Sequence, residues 1–112
     1  MKLRIVPAMA LMVATLALGS AAFAAASKTD AAQTFKSKCS MCHGMDGKGF
    51  PAIHTPNFTS PKWQASNTNK EITTTITNGK KGTAMPAFGN KLKAGEIQAL
   101  VHYIRSLNSA KK

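Results

Sequence analysis

The sequence predicts a small all-α domain, three to four short helices joined by long loops that wrap around one covalently held group. Three observations carry that prediction. Ile97, Leu100, Val101, Ile104 and Leu107 recur every three or four residues, one apolar stripe of a helix near the carboxyl end. Ala31, Phe35 and Cys39 fall four apart and lead, as a second helical face, into Cys39-Ser40-Met41-Cys42-His43. Residues 50–63 carry Pro51, Pro56 and Pro61 at no regular period and read as an extended loop. That loop exceeds the usual length of structureless connections, and such loops persist when they wrap something.

Taken in order, the chain opens on a candidate export signal. Lys2 and Arg4 form a short basic region, residues 5–18 are almost wholly apolar, and Ala22-Phe23-Ala24 supplies the small-x-small pattern of a cleavage site. Cleavage is expected between Ala24 and Ala25, giving a 1–24 leader and a single domain over 25–112. An uncleaved anchor is the competing reading, since the apolar run approaches the ~20 residues that span a bilayer. The Ala, Gly and Ser content at its end favours cleavage. The 88 remaining residues suffice for one small domain whose core is marginal, and two cysteines allow only one disulfide or one covalent prosthetic group as a staple.

In the mature domain, Asp30 is placed to cap a helix running through Lys38. Gly44, Gly47 and Gly49 then make a turn that ends it. After the proline-bearing loop, Asn69 is placed to cap a helix over residues 70–77 that closes at Asn78-Gly79. The run Ile72-Thr73-Thr74-Thr75-Ile76-Thr77 is β-branched throughout and by propensity alone favours a strand. The four-residue spacing of Ile72 and Ile76 and the capping residues at both ends decide for helix. The last helix spans residues 93 or 94 to about 107, with His102 off the apolar stripe and Tyr103 bordering it.

The spacing Cys-x-x-Cys-His is that of a c-type haem attachment site. Two thiols separated by two residues at the end of a helix can each add to one vinyl group of the same porphyrin, and the next residue then lies under the iron. Cys39 and Cys42 are therefore the expected thioether positions and His43 the proximal ligand of one covalent haem c. A redox or structural disulfide and a zinc site are the alternatives. Zinc lacks ligands, because only His54 and His102 remain and neither belongs to a second short-spaced pair. A thioredoxin-like motif lacks its βαβ setting.

The iron's other axial position needs a second residue. Met41 lies inside the motif and Met45 two residues past His43, so neither easily reaches the opposite face. Met85 can, from a loop stiffened by Pro86, and a His43/Met85 pair suits an electron-transfer haem. His54, His102 or an empty sixth position are the rivals. An empty position implies a different function, a gas sensor or a peroxidase-like protein.

With these residues in hand, the mature sequence resembles the small bacterial monohaem class I cytochromes c over nearly its whole length. The resemblance rests on Cys39-Ser40-Met41-Cys42-His43-Gly44 with Asp46-Gly47-Lys48-Gly49, on Thr55-Pro56-Asn57-Phe58, and on Ile76-Thr77-Asn78-Gly79-Lys80 followed by Met85-Pro86-Ala87-Phe88. It implies the cytochrome c fold, in which the first and last helices cross. Phe35 would then meet Leu100 and Tyr103 beside the small Ala31. It also implies that the Pro56 carbonyl accepts a hydrogen bond from His43, fixing the ring and raising its basicity. Trp63 is left either near a haem propionate or in ordinary core packing.

The function expected is a soluble periplasmic one-electron carrier, a monomer and not an enzyme, with no side chain acting as general acid or nucleophile. The formal charge of +11 falls to +9 when Lys2 and Arg4 leave with the leader. Nucleic acid is not the expected partner: the lysines are dispersed, no aromatic residues interleave them for stacking, and an exported chain meets little of it. Lys80, Lys81, Lys91 and Lys93 flank the distal loop in sequence and are expected to form a docking surface for an acidic redox donor or acceptor. No stable membrane insertion is expected once the leader is removed.

Overall fold

The structure is a computed structural model that describes Lys2 and residues 28–111. The leader and the cleavage junction expected near Ala24 and Ala25 lie outside the described residues, apart from Lys2. Among the described residues there are five α-helices, two single-turn 3-10 segments and no strand. The helices are α1 (Lys28–Lys38), α2 (Ser40–His43), α3 (Pro61–Ser66), α4 (Asn69–Asn78) and α5 (Ala94–Ser106).

Helix α1 begins two residues before Asp30, which lies in its first turn instead of capping it. A carboxylate there still faces the positive end of the helix dipole. The face predicted from Ala31, Phe35 and Cys39 is the buried one: Ala31 and Phe35 lie in the core and Cys39 is half-buried against it. At Cys39 the helix breaks for one residue. Its amide still donates to the Phe35 carbonyl (2.9 Å) and its carbonyl receives the His43 amide (2.9 Å), so α2 continues the path of α1.

Helix α3 begins within the segment read as extended loop and runs past its end to Ser66. The reason is local: the Ser60 hydroxyl accepts from the Trp63 amide (3.3 Å), and Pro61 occupies the first helical position, where its missing N–H costs nothing. The 3-10 turn Pro51–Ile53 starts on a proline in the same way.

Helix α4 is helical despite its β-branched run. Thr68, not Asn69, is its cap: the Thr68 hydroxyl accepts from the Glu71 amide (3.1 Å) while the Glu71 carboxylate accepts from the Thr68 amide (2.7 Å). Those bonds hold the Glu71 carboxyl below the usual glutamate range. Thr73 and Thr77 return their hydroxyls to the carbonyls of Asn69 (2.7 Å) and Thr73 (2.8 Å), and Ile72 and Ile76 point into the core. Burial of those two isoleucines and the capping box outweigh the few tenths of a kcal/mol per residue that β-branching costs a helix.

Helix α5 starts where Glu96 accepts from the Lys93 amide (2.7 Å) and buries Ile97, Leu100, Val101 and Ile104. His102 is exposed and Tyr103 half-buried, as the periodicity predicts. α5 packs against α1 and α4, and α1 against α2. Where α1 meets α5, Phe35 lies 5.1 Å from the Tyr103 ring and shares the core with Leu100. This contact is the one the resemblance implied.

Candidate functional site

The motif residues sit together at the end of α1 and on α2. Cys39 is half-buried, Cys42 is exposed, and both thiols are free. Burial pushes the Cys39 thiol up to about 11, with Lys38 lowering it and Cys42 raising it in smaller measure. A redox-active Cys-x-x-Cys needs the opposite, a thiol lowered toward neutrality. Among the described residues no group of three or more His, Cys, Asp and Glu is placed to hold a metal ion, so the zinc alternative has no ligand set.

His43 is half-buried. Its ring stacks on Phe58, with centroids 4.7 Å apart and planes 21° from parallel. Burial lowers its pKa, which favours the neutral imidazole that metal ions bind. Its Nδ1 is buried and has no hydrogen-bond partner. The bond implied from His43 to the Pro56 carbonyl is therefore not made. That carbonyl instead crowds the position over Gly49, where a Cβ would come within 2.5 Å of it, while the Gly49 amide donates to the His43 carbonyl (2.8 Å). The imidazole stacks on Phe58, and among the described residues nothing accepts from its Nδ1.

Met85, the expected second ligand, is half-buried and packs against the core, whereas Met41 (88% exposed) and Met45 (60% exposed) do not. Its amide donates to the Thr83 hydroxyl (3.2 Å) and its carbonyl accepts from Lys80 (3.2 Å). The following residues run along the end of α4, where the amides of Phe88 and Gly89 cap the carbonyls of Ile76 (2.9 Å) and Thr77 (3.0 Å). Gly79 makes this approach feasible. It has φ +71°, and a Cβ there would lie 2.7 Å from the Met85 carbonyl oxygen and 2.9 Å from the Ala87 nitrogen. His54 and His102 are both exposed.

The donor set fits a covalent haem. It offers two free thiols at the right spacing, an imidazole with an unpartnered ring nitrogen, and a half-buried thioether on a loop held through its backbone. Phe50 (45% exposed) and Ile53 (54% exposed) add apolar surface on the segment read from sequence as a wrap. Trp63 is in core packing, its ring 4.7 Å from that of Phe58. Sequence reasoning missed Gln64, buried beneath Phe58, whose side-chain amide donates to the Phe58 carbonyl (2.7 Å). Ser60-Pro61, a helix-start signal four residues earlier, was the one local hint that Gln64 lies on a helix.

Residues 26–104 match the family described as cytochrome C oxidase, cbb3-type, subunit III. The chain is similar to the cbb3-type cytochrome c oxidase subunit FixP of Bradyrhizobium sp. (strain ORS 278), 36% identical over 71% of this chain and 27% of that protein. It is also similar to FixP of Azorhizobium caulinodans, 38% identical over 68% and 26%. With subunit CcoP of Cereibacter sphaeroides it is 30% identical over 74% and 28%. The chain thus spans little more than a quarter of the length of these relatives. Among solved structures it is similar to the KustC0563 c-type cytochrome, with a TM-score of 0.65 and 27% identity, over 70% of this chain and 96% of that one. The chain belongs to the cytochrome c oxidase, cbb3-type, subunit III family, as an all-α c-type cytochrome domain.

Proposed function

We propose that the protein is a periplasmic one-electron carrier, exported by a leader over residues 1–24 that is removed, with one haem c ligated by His43 and Met85. The observation that carries it is the pairing of an attachment motif with Met85, the methionine that is both packed on the core and pinned through its backbone. Among the described residues no helix is long and apolar enough to cross a membrane. Haem bound there supplies a reversible ferric–ferrous couple.

The chain's own residues do the rest. Cys39 and Cys42 would hold the group by thioether bonds, and the half-buried imidazole of His43 would donate one nitrogen to the metal. The other nitrogen calls for an acceptor, a role we assign to the Pro56 carbonyl in the haem-bearing protein. Met85 would be the metal's second ligand, where a thioether favours the reduced state and excludes small ligands. No side chain moves a proton or attacks a substrate, so the chain passes electrons and does not itself catalyse a reaction. FixP and CcoP are named as subunits of an oxidase. By that likeness the partners are a redox donor and acceptor, the acceptor being a terminal oxidase or a carrier that feeds one.

The reading is tested on protein expressed with its leader. A haem-staining band that survives denaturation is expected, lost when Cys39 and Cys42 are both changed to serine. The optical spectra of both oxidation states should be those of a low-spin haem. Rapid carbon monoxide binding by the native ferrous protein would instead favour a sensor or peroxidase-like protein.

Lys80, Lys81, Lys91 and Lys93 are all exposed around the distal loop and the start of α5. They suit a partner with an acidic docking surface, where charge mainly raises the encounter rate. The rate of electron transfer to such a partner is expected to fall as salt passes ~0.1 M, where the Debye length is about 10 Å. A rate independent of salt would remove the docking role.

A further inference from the structure

We propose that Gln64 and Arg105 act as a clamp that sets the orientation of the His43 imidazole, working through Phe58. The proposal rests on the reading of His43 as a haem ligand. Phe58 is the element that stacks on that imidazole, and its peptide is fixed at both ends. Its amide donates to the carbonyl of Gly47 (2.8 Å), in the turn that follows His43. Its carbonyl accepts from the Gln64 side-chain nitrogen (2.7 Å). The ring itself is enclosed, with His43 stacked at 4.7 Å, Trp63 tilted at 4.7 Å and Phe35 edge-on at 6.2 Å.

Gln64 can do this only with its amide in one orientation. The same nitrogen donates to the Ile104 carbonyl (2.9 Å), so both acceptors it serves are backbone oxygens that a flipped amide would repel. Arg105 imposes the orientation. Its Nη1 donates to the Gln64 side-chain oxygen (2.8 Å) and to the Gln64 carbonyl (2.8 Å), its Nε to Asn69 (2.7 Å), and its Nη2 to the Asn67 carbonyl. These acceptors are all neutral, so a half-buried cation is satisfied entirely by oxygens at the ends of α3 and α4. This use explains why an arginine, the only one after Arg4 in a lysine-rich chain, stands here. A lysine has no planar fork to reach these acceptors together. The line of action runs from α5 through α3 to the proximal ring, and no member of it need touch the porphyrin.

The test is paramagnetic NMR of the ferric, haem-loaded protein, because the order and spread of the haem-methyl shifts depend on the plane of the axial imidazole. Gln64→Glu keeps an acceptor for Arg105 and removes the donor to Phe58. Arg105→Lys keeps the charge and loses the fork, and Phe58→Leu removes the stacked ring. Each is expected to change the methyl-shift pattern while circular dichroism shows the helices intact. Variants that only lower the unfolding midpoint and retain the wild-type pattern would overturn the clamp and leave a structural network. If one variant fails to fold, the same pattern in the other two decides. A wild-type spectrum without a low-spin haem would overturn the reading of His43 itself, an outcome distinct from loss of the clamp.

Discussion

Replacing Met85 with alanine is expected to open the ferrous protein to carbon monoxide and to lower its reduction potential by a few tenths of a volt, within the ~0.8 V span that axial ligands control. The backbone of residue 85 is held by Thr83 and Lys80 whatever its side chain, so the substitution removes the thioether without releasing the loop. Optical spectra with a potentiometric titration check it. An unchanged spectrum would show that another group, or none, occupies that side. Gly79→Ala is the milder version of the same experiment. At φ +71° any side chain costs ~1–3 kcal/mol, and the atoms the new Cβ would meet belong to the backbone of Met85, Pro86 and Ala87. The loop must shift, so carbon monoxide access intermediate between wild type and Met85→Ala is expected.

Phe35→Ala is expected to be the most destabilising single core substitution, at about 3–5 kcal/mol. Phe35 is 1% exposed and sits where α1 meets α5, touching Tyr103 on one side and the edge of Phe58 on the other. Domains of this size have only ~5–15 kcal/mol to lose. The unfolding midpoint should fall by on the order of 15–30 °C, since 1 kcal/mol corresponds to ~4–8 °C at this length. Thermal denaturation of the haem-loaded protein followed by circular dichroism measures it. A loss below about 1 kcal/mol would mean that the helix crossing does not depend on this ring. Because Phe35 also abuts Phe58, the damage should reach the His43 environment as well.

The proposed haem-attachment residues are legible from local sequence because covalent attachment is a local event. Cys39, Cys42 and His43 must be close along the chain to serve one porphyrin, and their spacing carries the chemistry. Helix α5 was equally legible, since one stripe of five apolar residues has few other uses. The start of α4 was displaced by one residue, from Asn69 to Thr68, because both residues are good caps and only the Glu71 carboxylate chooses between them. Helix α3 was passed over because three prolines in fourteen residues suggest a loop, although Pro61 behind Ser60 is also how a helix begins.

By itself, the sequence determined the fold class, the attachment motif and the long apolar helix, and singled out Met85 as the candidate for the second axial position. Each of these is a matter of spacing along the chain, and spacing is what a sequence records. The tertiary structure alone decided that the His43 ring stacks on Phe58 with its Nδ1 buried and unpartnered, that Gly79 admits the Met85 loop against α4, and that Gln64 joins Phe58 to Arg105. The Gln64–Arg105 contact joins residues 41 positions apart. No local pattern marks such a partner, because its geometry exists only once the helices that carry the two residues have packed.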